Sequence, residues 1–144
     1  MGENEKPIIP KPYFLTYYST IPIFLGIELY KGVFMIEETI KRIEATLRGA
    51  KALAPEKREE LLGLLTELKG EVTGLSKTHK EGAESIAGFT QVTAHEATRA
   101  DGDRQLLNLS LEGLSGSVNS FEASHPKLVK VVNDICTALS GLGL

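Results

Sequence analysis

The sequence contains no tryptophan and only one cysteine, Cys136, and 6% of its 144 residues are aromatic. A core with so few rings has to be built from aliphatic side chains. A single cysteine cannot form an internal disulfide or a cysteine-rich metal site, and it fits a reducing, cytoplasmic location. Basic residues form no block and the net charge is −3. The electrostatic footprint of a nucleic-acid-binding protein is therefore absent.

Residues 1–34 differ in composition from the rest of the chain. They hold four of the six prolines and every tyrosine of the protein. The start is not basic and no small-residue cleavage site follows, which argues against a signal peptide. Polar residues and Pro22 interrupt the apolar run, which weakens the interpretation of this segment as a membrane span. We predict an irregular extension here, with the functional start at Met35 and a helical domain over residues 35–144.

The first helical pattern begins just after Met35. Four apolar side chains recur at helical spacing and share one face: Ile36, Ile40, Ile43 and Leu47. Gly49 is a stop signal. Pro55 suits the first turn of the next helix, because its missing N–H would be unpaired there anyway.

Two heptad patterns, which we call the seams, organise the rest of the chain. The first lies on a helix expected to run to about Arg99, and its apolar positions are Leu61, Leu65, Leu68, Val72, Leu75, Ile86 and Phe89. The second comprises Leu107, Leu111, Leu114, Val118, Phe121, His125, Leu128, Val132, Ile135, Leu139 and Leu142. Neither stripe can be buried by its own helix alone. The polar turn 101–103 between them predicts an antiparallel hairpin, with Asp103 as N-cap and Gly102 as a left-handed helix end.

Each seam contains a histidine where its apolar pattern is weakest. We call the two long helical segments of the hairpin its arms. His79 and Gly82 occupy seam positions of the first arm. Pro126 predicts a kink at His125 in the second arm. The heptad phase continues across that kink, so the two halves of the second arm are expected to keep one direction.

The position of the turn also predicts which residues face each other. Residue numbers of facing pairs should add to about 200–207 in an antiparallel seam. This register places Phe121 beside Gly82, a match of large and small residues, and brings His79 close to His125.

The closing segment FEASHPKLVKVVNDICTALSGLGL, residues 121–144, resembles a bacterial family catalogued as domain of unknown function 4404. The matching residues are Phe121, Glu122, His125, Pro126, Leu128, Ile135, Ala138, Leu139 and Gly143. The likeness covers residues 36–144, and residues 78–102 depart from it. The resemblance implies a small helical protein of unknown function and supplies no catalytic residues.

The sequence shows no catalytic or cofactor-binding motif. The segment HEATR at His95 lacks the second histidine that a zinc-protease helix needs four residues later. Cys136 is interpreted as a small packed side chain rather than a nucleophile. His79 and His125 are candidate metal ligands, and a polar layer that fixes the register is the alternative interpretation of this pair.

We therefore predict an all-α fold: a long, coiled-coil-like antiparallel hairpin with a short preceding helix and an irregular N-terminal extension. The predicted role is that of a non-enzymatic structural or interaction protein without a cofactor, which self-associates, most simply as a dimer. A second hairpin would cover the apolar residues beside the seams, although the helix 36–47 competes for the same surface; these residues are Leu62, Leu64, Leu106 and Leu109. A membrane-tethered adaptor using residues 13–30 and a metal- or pH-responsive module at His79 and His125 are the alternatives.

Overall fold

A computed structural model describes the backbone of residues 20–142 and the side chains of residues 31–142. The all-α prediction is confirmed for this part of the chain, which forms five helices: α1 (Thr20–Gly49), α2 (Pro55–Leu75), α3 (Lys80–Thr98), α4 (Arg104–Ser117) and α5 (Pro126–Ser140). A short 3₁₀ turn, Asn119–Phe121, lies between α4 and α5. Among these helices, none combines the length and apolar character needed to cross a membrane.

The chain divides into two units, Met1–Lys31 and Gly32–Leu144. In the first unit the structure describes a helical backbone from Thr20 onward. This corrects the predicted irregular extension, because residues 20–34 belong to α1. Pro22 does not prevent the helix, since the N–H groups of a first turn have no partner within the helix in any case. Residues 1–19, and the side chains of the proposed membrane tether at 13–30, lie outside the described residues.

The second half of α1 packs as predicted, and all four apolar side chains of its face are buried: Ile36, Ile40, Ile43 and Leu47. The helix ends at Gly49, and Pro55 opens α2. The Arg58 guanidinium joins these two helices, because its Nε donates to the Leu47 carbonyl at 3.1 Å and its Nη2 to the Ala50 carbonyl at 2.6 Å. A cation at this place also suits the negative end of the α1 dipole.

Helices α2 to α5 form an up-and-down four-helix bundle. Side chains from α2 (Leu61, Leu65), α3 (Thr90, Ala94), α5 (Ile135, Leu139) and α1 (Ile43, Leu47) surround one point of the core. Leu61 and Ala94 are 33 positions apart, about 50 Å along a straight helix, so α3 must run back beside α2.

The other neighbouring helices of the bundle are antiparallel too. The Thr93 hydroxyl lies 2.7 Å from the Phe89 carbonyl of its own helix and 3.1 Å from the Ser110 carbonyl, and the second contact pairs α3 with α4. Two adjoining grooves between α2 and α5 are lined by residues near opposite ends of these helices, among them Glu60 with Thr137 and Glu71 with Lys127.

The predicted register is confirmed, but both arms of the hairpin fold back on themselves. Gly82 faces Phe121 and Thr93 faces Ser110, both within the expected pairing range. The first arm reverses over residues 76–79 instead of continuing to Arg99. The second reverses over residues 118–125, so the prediction that its halves keep one direction is wrong. Folding back has a physical reason. A straight hairpin of two long helices leaves the apolar flanks of both helices in water, whereas a four-helix bundle covers these flanks.

Two local predictions fare differently at the turn between α3 and α4. Asp103 caps α4, since its Oδ1 accepts from the N–H groups of Gln105 at 2.8 Å and Leu106 at 3.3 Å. The predicted left-handed end at Gly102 is wrong, because no glycine in the described part of the chain has a positive φ.

Phe89 also departs from the predicted seam, with 40% of its surface exposed, because its ring lies over Gly113 at the outer edge of the α3–α4 contact.

Candidate functional site

Three rings meet at the end of the bundle where α3 and α5 begin. The ring centroids of His79 and Phe121 are 5.3 Å apart, those of Phe121 and His125 5.7 Å, and those of His79 and His125 6.1 Å. Each pair is close to perpendicular, with interplanar angles of 80° to 90°. The structure thus brings together the two histidines that the register placed close to each other.

The two histidines occupy matching positions in two matching turns. His79 is the N-cap of α3 with φ −136° and ψ 68°, and His125 is the N-cap of α5 with φ −137° and ψ 66°. The N–H of each donates at 2.8 Å to the carbonyl four residues earlier, that of Leu75 or Phe121. The pair is therefore not a polar layer inside a continuous seam, because both residues stand outside the helices that they cap.

A hydroxyl group holds each imidazole at the ring nitrogen nearest the backbone. Thr78 Oγ1 lies 2.8 Å from His79 Nδ1, and Ser124 Oγ lies 2.8 Å from His125 Nδ1. The Thr78 hydroxyl also donates to the Leu75 carbonyl at 3.4 Å, so its oxygen is available to accept from a protonated Nδ1. That assignment leaves the lone pair of His79 on Nε2. Within residues 31–142, neither Nε2 atom has a hydrogen-bond partner.

Phe121 anchors the cluster in the core. It is 8% exposed, and a Cβ added at Gly82 would lie 2.9 Å from its Cζ. The predicted match of Phe121 with Gly82 is therefore confirmed. His79 is exposed and His125 half-buried, so both imidazoles can be reached from solvent.

The two hydroxyls were not predicted from the seams. The signal that could have found them is an internal correspondence at an offset of 46 residues, which relates Thr78 to Ser124 and His79 to His125. The same offset relates core positions of α2 to those of α4 and the following turn: Leu61 and Leu107, Leu65 and Leu111, Leu68 and Leu114, Val72 and Val118, Leu75 and Phe121. The two turns therefore occupy equivalent places in two similar helical hairpins.

The other residues considered from the sequence are not gathered into a site. His95 is exposed in the last turn of α3, about 24 Å along the helix from His79. Cys136 is half-buried against the core, and burial raises the pKa of its thiol. A raised pKa keeps the thiol protonated and disfavours the nucleophilic thiolate. In the part of the chain with described side chains, no group of three or more histidine, cysteine or acidic residues is placed to hold a metal ion.

Comparisons with known proteins add no relative. A scan against protein-family models finds no match, and searches of curated proteins and of solved structures likewise find none. The resemblance of residues 121–144 to the domain of unknown function 4404 family stays a prediction.

Proposed function

We propose that this chain is a non-enzymatic helical interaction module that associates with a second copy of itself. The observation that carries the proposal is an apolar surface on the outer side of α3 and α4. Four large apolar side chains there are 40% to 55% exposed: Phe89, Val92, Leu106 and Leu109. We call these four residues the outer patch.

The α3–α4 register makes the outer patch continuous. The Thr93–Ser110 hydrogen bond and the position of Phe89 over Gly113 fix the two helices relative to each other. Val92 and Leu109 therefore lie at neighbouring heights on the outside of this pair. Single exposed apolar residues are normal on a protein surface, but a contiguous group marks an interaction site.

The structure covers two of the four apolar residues that we expected a second copy to cover. Of the apolar residues beside the seams, Leu62 is buried and Leu64 packs against the core. Helix α1 helps to cover α2, since Ile40 and Leu62 line the same groove. The four-helix bundle is thus completed within one chain, and of the four apolar residues beside the seams Leu106 and Leu109 remain exposed for a partner.

A second copy fits this surface because it is self-complementary. Gly88 and Gly116 have open space above them. A two-fold axis level with residue 90 of α3 places Val92 against Gly88 of the second copy. Residue 113 of α4 lies at the same height, so the same axis places Leu109 at the level of Ser117 of that copy, one residue beyond Gly116.

The same two-fold axis brings oppositely charged residues of the two copies towards each other. The axis brings the exposed Glu81 at the start of α3 towards Arg99 of the second copy, at the end of that helix, where Arg99 already pairs with Glu96 of its own chain at 2.8 Å. Two-fold pairing is also the commonest closed arrangement of identical chains. Opposite charges and paired large and small residues favour a second copy over an unrelated apolar partner.

Sedimentation or light scattering on the full chain at micromolar concentration tests the proposal. We expect a mass near twice 15.6 kDa that falls on dilution. Leu109→Glu should give a single-chain mass, because a charge in the apolar contact is costly to bury. Met35→Glu is the matched control, since Met35 is 56% exposed but lies on α1. A wild-type mass of one chain at every concentration would refute self-association.

A further inference from the structure

We propose that His79 and His125 form a binding site for one divalent transition-metal ion of the zinc type, at the end of the bundle where α3 and α5 begin. The site belongs to a single chain and does not depend on self-association. Imidazole nitrogen is a preferred ligand of Zn²⁺, Cu²⁺ and Ni²⁺. Two imidazoles would supply the protein ligands, and water would complete the coordination.

The distance between the rings suits a shared ion. With metal–nitrogen bonds of about 2.1 Å, the centroids of two imidazoles on one tetrahedral ion lie about 5.3 Å apart, so the two rings would have to approach by about 1 Å on binding. The observed separation of His79 and His125 is 6.1 Å. The two rings are close to perpendicular, at 80°, so a shared ion requires a rotation of at least one imidazole that turns both Nε2 atoms to the same point.

The surroundings of the imidazoles orient them for binding. Thr78 and Ser124 engage the two Nδ1 atoms at 2.8 Å, and in the tautomer in which each Nδ1–H donates to its hydroxyl the Nε2 atoms keep their lone pairs for an ion. A metal-bound histidine commonly has its other nitrogen held in this way. Phe121 contacts both rings and limits their rotation. The site is thus built by equivalent residues of two turns rather than by a chance approach of long side chains.

The charges near the site oppose tight binding. Both α3 and α5 direct the positive ends of their dipoles towards it. Lys77, Lys80 and Lys127 lie within two residues of the histidines, whereas Glu81 and Glu122 partly offset them. We therefore expect weaker binding than at a structural zinc site with four protein ligands.

Calorimetric titration of the full chain with ZnCl₂ tests the site. We expect one Zn²⁺ per chain, and a loss of at least about tenfold in affinity in both His79→Ala and His125→Ala. His95→Ala is the matched control, because it removes the third histidine without touching the site. Thermal unfolding gives a second readout: Zn²⁺ at ten times its Kd should raise the wild-type Tm by about 4 °C, and should not do so in either site variant.

The outcomes separate the site from its alternatives. Equal loss of binding in His95→Ala, one ion per two chains, or a wild-type protein that shows neither heat nor a Tm shift would each overturn the proposal. Metal-free Tm values and helical content check that the variants fold. If an alanine variant does not fold, His79→Gln and His125→Gln replace it, since glutamine keeps a polar side chain of similar size but binds zinc poorly.

Discussion

The bundle contains two helix pairs, α2 with α5 and α3 with α4. The pairs differ in the size of their buried side chains and in the polarity of their outer surfaces. Between α2 and α5 the buried side chains are large and aliphatic, as at Leu68 and Leu128, and the surface carries ion pairs such as Lys130 with Asp134 at 2.8 Å. In α3 the buried set is rich in small and hydroxyl-bearing residues, and α4 adds Ser110 beside the large Leu107 and Leu114; the small α3 residues are Ala83, Ala87, Thr90, Thr93, Ala94 and Ala97. The outer side of α3 and α4 carries the apolar outer patch.

The difference relates the small buried side chains at the α3–α4 contact to the large apolar side chains that are exposed on the same helices. Because small side chains fill the α3–α4 contact, the helices approach closely enough for the Thr93 hydroxyl to reach a backbone carbonyl of α4. No room is then left for the Phe89 ring between the helices, and it lies over Gly113 at their outer edge. Close packing inside and an apolar surface outside are thus two results of one sequence pattern.

The largest expected loss of stability comes from truncating a buried leucine of α2, and it is compared with the loss from truncating a buried threonine of α3. Leu68→Ala removes a fully buried side chain from α2 and should lower the free energy of unfolding by about 3 kcal/mol, through lost burial and a residual cavity. Thr90→Ala in α3 should cost only about 1 kcal/mol, because threonine leaves a smaller space. Denaturant unfolding measures both. Equal losses would mean that the two halves do not differ in the way described.

A second test compares glycines of the two halves. Gly82→Leu in α3 should cost about 1–3 kcal/mol, because Phe121 fills the space beside Gly82 and is held there by the core. Gly70→Ala in α2 meets nothing within 4 Å, and it should raise stability by up to about 1 kcal/mol through better helix propensity. The readout is the shift in Tm. An unchanged Tm in Gly82→Leu would contradict the packing at this end of the bundle.

The smallest effect concerns the hydroxyl between α3 and α4. Thr93→Val keeps the shape of the side chain but removes the hydroxyl that is shared between the Phe89 carbonyl of α3 at 2.7 Å and the Ser110 carbonyl of α4 at 3.1 Å, at a cost of about 1 kcal/mol. Thr98→Val is the control, since the Thr98 hydroxyl bonds only within its own helix, to the Ala94 carbonyl. Both are measured by urea unfolding. A larger loss in the control would show that the contact between helices contributes little.

Much of the fold could be predicted because local chemistry determines it. Helical spacing identified the buried face of α1, and the side chain of Asp103 identified the start of α4. The reversals at residues 76–79 and 118–125 could not be predicted from the seams. A straight hairpin and a folded one pair α2 with α5 and α3 with α4 in the same register, so both produce the same heptads. Only the contacts within each arm, of α2 with α3 and of α4 with α5, distinguish them, and no spacing in the sequence records these contacts.

The candidate site could be predicted in part for the same reason. Register alone was enough to bring His79 near His125, because facing residues stay paired when the arms fold back. Register does not report that both residues become N-caps, or that Thr78 and Ser124 engage them. Those features depend on how the backbone turns, which follows from the reversals.

The pairing of α2 with α5 has a consequence for the order in which the molecule assembles. These two helices are neighbours in space but lie at opposite ends of the bundle's sequence, whereas α3 and α4 are joined by five residues. Loop-closure entropy makes the distant contact the more costly one to form. We therefore expect the α3–α4 hairpin to nucleate folding and the α2–α5 contact to close last. When the protein opens locally, the same contact should be the first to separate.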